Sequence, residues 1–402
     1  MSKTLVILLA ETRASEITYE NIKTNLIDEL NADLCICVGK KADYDFENPF
    51  YKNAQYRFMY DEPENYADAF EYAYRTILKE KMNVDPHNVK SSIEKIKDVN
   101  AIFGKNSNPH TSVGDITYRG NHTDLTNYDF SKVEDDIFVH YTPGFGDHNW
   151  KNGLYSIRKG VSVDYVHQYN VDTYRRKRYS HWRDLFALGE QFMGGVIEDG
   201  RTYEGSAGIS VFFRWFLLKN LLENDLISKY DRFIVTRSDY IYKLPHPKMN
   251  LLDEKYVWIP DCEDYWGYTA RHAILSKDNI SSYLNIFETL ITSSNKYIES
   301  MNTTLHVHNL ETLMKHHLMY NGLGDLIKRS PYVMYAVRAT NGTTRWSVGV
   351  WSDEYQYYIK YPSEYDRSGF YKSKYDEMNA SVDGQLSMDT FYKEIIPTIT
   401  NS

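Results

Sequence analysis

The segment Arg232-Phe233-Ile234-Val235-Thr236-Arg237-Ser238-Asp239-Tyr240 ends an apolar run with a guanidinium, a hydroxyl and a carboxylate. A carboxylate at a strand end can ligate Mg²⁺ or Mn²⁺, hard ions that take oxygen ligands and share their shell with substrate phosphates. Asp239 is therefore the candidate metal ligand, although the same residue in the same place can also cap the turn after a strand. A second cluster, Trp258-Ile259-Pro260-Asp261-Cys262-Glu263-Asp264-Tyr265-Trp266-Gly267-Tyr268, sets three carboxylates among aromatic rings. Carboxylates beside sugar-stacking rings suit base catalysis or hydroxyl binding on a carbohydrate. Asp264 is the preferred catalytic residue and Asp261 and Glu263 are its rivals; the competing reading is an acidic surface loop over Trp266. The segment from Tyr335 to Trp346 reads as a hairpin with an Asn341-Gly342 turn. It sets Arg338 and Arg345 where guanidinium groups either hold diphosphate oxygens or lie in solvent.

The elements that must position these residues follow from apolar periodicity. Leu5 to Leu9 is a continuous apolar run closing on Ala10-Glu11-Thr12-Arg13, the pattern of a buried parallel strand with polar groups at its carboxyl edge, where open α/β sheets bind ligands. A helical pattern follows through Leu30, then a second run, Leu34 to Val38, closes on Gly39, so the opening is β-α-β. Tyr66 to Met82 has helical spacing and ends before Asp85-Pro86. His181 to Phe192 is again helical, and Ser206 to Leu222 is so apolar that it must be mostly buried, which obliges Arg214 within it to find a partner. Phe233 to Thr236, Val257 to Pro260, Tyr332 to Arg338 and Tyr355 to Tyr361 read as strands, and Leu310 to Leu318 as a helix. The expected organisation is 1–84 as the β-α-β nucleotide part, 85–180 as an insertion capping the cleft, 181–350 as the metal and acceptor part, and 351–402 as a C-terminal extension. The insertion holds a strand-like piece at Ile137 to Tyr141 and one basic cluster, Arg175-Arg176-Lys177-Arg178, which reads as a solvated helix face or a phosphate contact.

Composition narrows the classes. The 402 residues exceed what one small core serves, and 42% apolar with 25% charged residues excludes wholesale disorder and a fibrous or membrane class. The 46 Lys and Arg against 55 Asp and Glu leave a formal charge of −9, which argues against nucleic acid as a partner. Three cysteines, Cys35, Cys37 and Cys262, form neither a disulfide framework nor a zinc spacing, so a reducing compartment is expected. The early apolar run is too short for a signal or a membrane span, and the cytoplasm is expected, the host's if the chain is viral. The 36 tyrosines supply rings suited to polar clefts and stacking, an excess that codon bias also produces.

Together these pieces resemble a GT-A-type glycosyltransferase. The resemblance rests on Glu11-Thr12-Arg13 after the first strand and on Arg237-Ser238-Asp239-Tyr240 where such enzymes carry D-x-D. It extends to Gly267-Tyr268-Thr269-Ala270-Arg271-His272-Ala273-Ile274 and to Asn309-Leu310-Glu311-Thr312-Leu313-Met314, similar to the N/S-x-E-x-x-L helix start of viral and bacterial sugar transferases, and covers roughly 1–80 and 180–350. It departs where D-x-D keeps only Asp239 and where Ala270 stands in place of the acid of G-x-x-D-R. The resemblance implies a Rossmann-related, mostly parallel sheet flanked by helices, and transfer of a sugar from a UDP- or GDP-linked donor to a carbohydrate acceptor with Mn²⁺ or Mg²⁺. It assigns Ala10, Glu11, Thr12 and Arg13, with Gly39, to the nucleotide, Arg237, Ser238 and Arg271 to the donor, and His306 or His308 to completion of the metal shell. The alternative is a catalytically inactive carbohydrate-binding protein on the same fold.

Overall fold

Leu5, Val6, Ile7 and Leu8 are fully buried, as are Cys35 to Val38, so the two early apolar runs become the centre of a sheet. The computed structural model describes residues 3–82, 182–186, 189–198, 200–304, 309–339, 347 and 349–399. The segment 85–180, with Arg175 to Arg178, and residues His306, His308 and Arg345 lie outside them. In chain order the strands are β1 (Thr4–Ala10), β2 (Asp33–Lys40), β3 (Tyr56–Asp61), β4 (Ile197–Glu198), β5 (Arg201–Thr202), β6 (Arg232–Thr236) and β7 (Tyr240–Tyr242). They continue with β8 (Val257–Pro260), β9 (Ala273–Ser276), β10 (Ile327–Ser330), β11 (Met334–Arg338), β12 (Val350–Ser352) and β13 (Tyr357–Ile359).

The chain divides into two compact units, the first made of 1–62, 213–286 and 309–402, the second of 63–212 and 287–308. The first holds a seven-stranded sheet ordered β10-β8-β9-β6-β1-β2-β3. β6, β1, β2 and β3 run parallel, as do β10 and β8, while β9 is antiparallel to both β6 and β8. The fold is thus α/β with a mixed, mostly parallel sheet flanked by helices. From β1 the chain passes to β2 and β3 on one side, and later returns to place β6 on the other. Connections that leave adjacent strands in opposite directions open a crevice at their carboxyl ends. β1 ends at Ala10 and β6 at Thr236, so Glu11 to Arg13 and Arg237 to Asp239 border that crevice. A second, antiparallel sheet, β12-β13-β11-β7, stands next in chain order to β6 through β7.

Helix ends are set locally. Asn309 and Thr312 form a capping box on the helix Leu310–Tyr320: Thr312 N donates to Asn309 Oδ1 at 2.7 Å and Asn309 N to Thr312 Oγ1 at 3.0 Å. The expected apolar helix runs Ala207–Glu223, and Arg214 in it, 1% exposed, donates from Nη2 to Ala270 O at 2.6 Å. The 351–402 segment is integral to the first unit: Tyr371, Phe391 and Tyr392 join the same buried cluster as Val6 and Ile36. In the second unit, helix Tyr66–Lys81 carries Phe70, which meets Phe186 edge-on at 4.8 Å. The pattern over His181 to Phe192 resolves there into helix Trp182–Phe186 and a 3-10 turn, Glu190–Met193. Among the described residues no helix is long and apolar enough to cross a membrane.

Three of the buried histidines of the first unit, His246, His272 and His317, are held neutral. His246 donates through Nδ1 to Pro247 O at 2.7 Å, His272 Nδ1 meets Thr236 Oγ1 at 2.9 Å, and His317 donates through Nε2 to Ser282 O at 2.8 Å. Burial pushes His246 down to about 4 and His317 to about 3, and burial with the neighbouring His246 pushes His272 down as well. The unfolded chain takes up these protons near pH 6.5 and the folded chain does not. Stability is therefore full above that pH and falls as pH drops towards the folded values, by about 1.4 kcal/mol per pH unit per histidine. Chemical denaturation at pH 7.5 and 5.5 should show this loss, and His246→Gln should remove its share of the slope; an unchanged slope in that variant would refute the assignment.

Candidate functional site

The loop after β1 is shaped by two left-handed alanines, Ala10 at φ 77° and Ala14 at φ 56°. Such a backbone is costly for a residue with a Cβ and persists only where the surroundings hold it. Asn48 does so: its Nδ2 donates to Thr12 O and to Ser15 Oγ, both at 3.0 Å, while its Oδ1 accepts from Phe50 N to cap the helix Pro49–Asn53. Ser238 Oγ donates to Arg13 O at 3.1 Å and Thr18 Oγ1 to Ser238 O at 2.6 Å, which ties the β1 loop to the end of β6. Thr12 Oγ1 lies 3.1 Å from the Tyr44 hydroxyl, and Arg13 pairs with Glu11. At Gly39, expected to let a ligand approach the backbone, a Cβ would meet the Glu62 side chain, its carboxylate oxygen at 2.1 Å.

Asp239 is 1% exposed and its carboxylate is fully engaged by arginines. Arg237 donates Nε to Oδ1 and Nη2 to Oδ2, both at 2.7 Å, and Arg338 donates to Oδ2 from the end of β11. Val337 N, on β11, donates to Asp239 O at 2.8 Å. Burial alone would raise the Asp239 pKa, but Arg237, Arg338 and Arg13 hold it well below the usual carboxylate range. The cations feel one another: Arg13 is pushed down to about 10 by burial and by Arg338 and Arg237, against the pull of Asp239. Lys360, just past β13, is pushed down to about 8 by burial and by Arg338, Arg237 and Arg13. Lys360 N donates to Ala336 O at 2.8 Å, so Lys360 and Arg338 share one face of the small sheet.

A divalent ion fits this surrounding poorly. The one acid at the strand end is already shared by two guanidinium groups, and no group of three or more His, Cys, Asp or Glu poised to hold a metal occurs among the described residues.

The acidic loop is a network. Asp261 Oδ1 accepts from Tyr332 N at 3.1 Å, and its Oδ2 from Tyr371 OH at 2.5 Å and from Arg367. Glu263 accepts from Arg271 Nη1 and Tyr265 OH, both at 2.7 Å, and from Ser363. Its pKa is lowered because Arg271 and these hydrogen bonds outweigh burial. Arg271 also donates to Glu364 at 2.7 Å and lies 4.0 Å over the Tyr361 ring. Asp264 Oδ1 accepts from Thr269 N at 3.1 Å and its Oδ2 from Arg329, while burial raises its pKa against the pull of Arg329. The side chains of Asp261 and Glu263 are 7% and 4% exposed and that of Asp264 28%, so of the three acids Asp264 is the one open to a ligand.

Glu263, Tyr265 and Trp266 all have positive φ, at 61°, 44° and 69°, a run of strained residues that turns Trp266 out to 77% exposure. The loop is anchored on the helix start Asn309-Leu310-Glu311: Asn309 Nδ2 donates to Tyr265 O at 3.1 Å and Tyr268 N to Glu311 O at 3.0 Å. Glu364, Lys360, Arg329 and Asn48 escaped the sequence reading. Most of what they touch lies elsewhere along the chain, and the local signs were Asn48-Pro49 at one helix start and Pro362 opening another with an acid in its first turn. The chain matches no family model and no curated protein.

Gly267 is the hinge of this anchoring, because a Cβ there would lie 1.9 Å from Glu311 O and 2.3 Å from Thr312 N. Gly267→Ala should cost on the order of 1–3 kcal/mol by forcing the loop off the helix start, read as a lowered Tm with increased proteolysis near Tyr265. A variant as stable as the wild type would show that the loop does not depend on this contact.

Proposed function

We infer that this chain is a glycosyltransferase that moves a sugar from a nucleotide-diphosphate donor to a carbohydrate acceptor. The observation that supports it most is the pairing, in one unit, of a cation-rich strand-end crevice with an acid loop carrying an exposed aromatic platform. The crevice lies where the strand order reverses, between β1 and β6, the place where open α/β sheets take nucleotides. The loop is linked to it by contact: Arg271 donates to Glu364, Glu364 accepts from Tyr332 OH at 2.7 Å, and Tyr332 OH lies 3.1 Å from the Tyr240 hydroxyl, one residue past Asp239.

In this reading Glu11 to Arg13 border the nucleoside, while Arg13, Arg237 and Arg338 take the leaving diphosphate, whose developing charge they stabilise from fixed positions. Tyr265 and Trp266 offer ring faces to the acceptor sugar, and Asp264 accepts the acceptor hydroxyl's proton or orients that hydroxyl. Asp261 and Glu263 hold the loop, since their oxygens are committed to Arg367, Tyr371, Arg271 and Ser363.

Incubation with UDP- and GDP-linked hexoses and pentoses should release nucleoside diphosphate, by hydrolysis when acceptor is absent and by transfer when it is present. Asp264→Asn should lower the transfer rate roughly a hundredfold with donor affinity nearly unchanged, the scale of a lost general base. Asp261→Asn should act mainly on stability. Donor binding without turnover under every condition would favour the inactive carbohydrate-binding alternative. Full transfer by Asp264→Asn would remove that residue from the chemistry.

A further inference from the structure

The charges around Asp239 do not balance. Among the described residues Arg13, Arg237 and Arg338 meet Asp239 and Glu11, so three cations meet two carboxylates and one positive charge is left over, while Lys360, whose Nζ donates to Ser347 O, lies on the Arg338 side of the small sheet. The surplus is also directional. Asp239 is shut in at 1% exposure, whereas the side chains of Arg13 and Arg237 keep 38% and 27% and Glu11, paired with Arg13, keeps 46%, so the open side carries two guanidinium groups against one carboxylate. Arg338 is 8% exposed and its Nε has no hydrogen-bond partner among the described residues, a buried donor that costs free energy unless something accepts from it. A divalent ion approaching Asp239 would have to pass these guanidinium groups and displace them. An anion meets the reverse situation, and the diphosphate of a sugar nucleotide brings about two negative charges with many acceptor oxygens.

We propose that the crevice holds the donor diphosphate with its own cations, Arg13, Arg237 and Arg338, and that Asp239 is an internal counter-ion ordering the arginines rather than a ligand of a divalent metal. The proposal rests on the glycosyltransferase reading only for the nucleoside; the anion site itself follows from the cluster. Asp239 holds Arg237 by both carboxylate oxygens and Arg338 by one, which fixes two guanidinium planes before any ligand arrives. A preordered fork loses little on binding a phosphate, which is how fixed arginines replace a metal as the neutralising charge.

Calorimetry with UDP, GDP and inorganic pyrophosphate, each in EDTA and each with Mn²⁺, separates the possibilities on the full chain. The proposal expects pyrophosphate and at least one nucleoside diphosphate to bind in EDTA with a Kd within about threefold of that in Mn²⁺. It also expects at least tenfold weaker binding in Arg338→Gln. Because Arg338 is buried, Arg13→Gln, on a partly exposed side chain, is the second variant, expected to weaken binding several-fold with an unchanged circular dichroism spectrum. Asp239→Asn should leave the indifference to Mn²⁺ intact. Binding that requires Mn²⁺ and loses that requirement in Asp239→Asn would overturn the proposal and leave the glycosyltransferase reading standing. Pyrophosphate binding in EDTA without any nucleoside diphosphate binding would sustain the anion site and sink the sugar-nucleotide reading. No binding of any of the three in EDTA overturns the proposal.

Discussion

The Asp239 carboxylate, buried between Arg237 and Arg338, is the interaction on which the geometry of the crevice depends. Taking a carboxylate out of water is expensive, and the cost is met only when charged donors saturate it. Here the donors come from two places in the chain: Arg237 from the turn after β6, and Arg338 from β11, which pairs with β7 through Ala336 and Tyr240. The ion cluster and the antiparallel ladder therefore reinforce each other, and the end of β6 cannot move without breaking both. Removing one partner of such a group costs far more than the intact group contributes, because the remaining charge is left buried.

A second charged chain does the same for the acid loop. Glu364 is fully buried in the first turn of helix Pro362–Ala380 and accepts from Arg271, Tyr332 OH and Ala336 N. Burial raises its pKa while Arg271 pulls the other way. Through Arg271 it reaches Glu263, so a helix of the last fifty residues fixes a loop a hundred positions earlier in the chain. The C-terminal segment thus completes the candidate site.

The tyrosine content finds a structural use in these networks. Tyr240 with Tyr332, and Tyr335 with Tyr357 at 2.7 Å, share hydroxyl hydrogen bonds inside the unit, and Tyr371 donates to Asp261. A ring with a hydroxyl at its tip packs as a core residue and satisfies a buried carboxylate at once, which suits a site where several acids lie close to apolar strands.

What the sequence alone determined is whatever depends on local periodicity. The apolar runs at Leu5 to Leu9, Leu34 to Val38, Phe233 to Thr236 and Val257 to Pro260 are strands because a residue buried on both faces must be apolar at every position, and the run ends where polarity resumes. The β-α-β opening, the helix at Tyr66 and the exit of Arg237 to Asp239 from a strand follow from the same rule. Tertiary structure alone decided the rest. Nothing in Ala273 to Ser276 says that this short strand runs antiparallel between β6 and β8, since direction is set by where the chain has already been. Nothing in Arg237-Ser238-Asp239 says that a second guanidinium also closes on the acid, because Arg338 lies 99 residues away along the chain. Charge pairing acts through distances of a few ångströms in space, and separation along the chain carries no record of it.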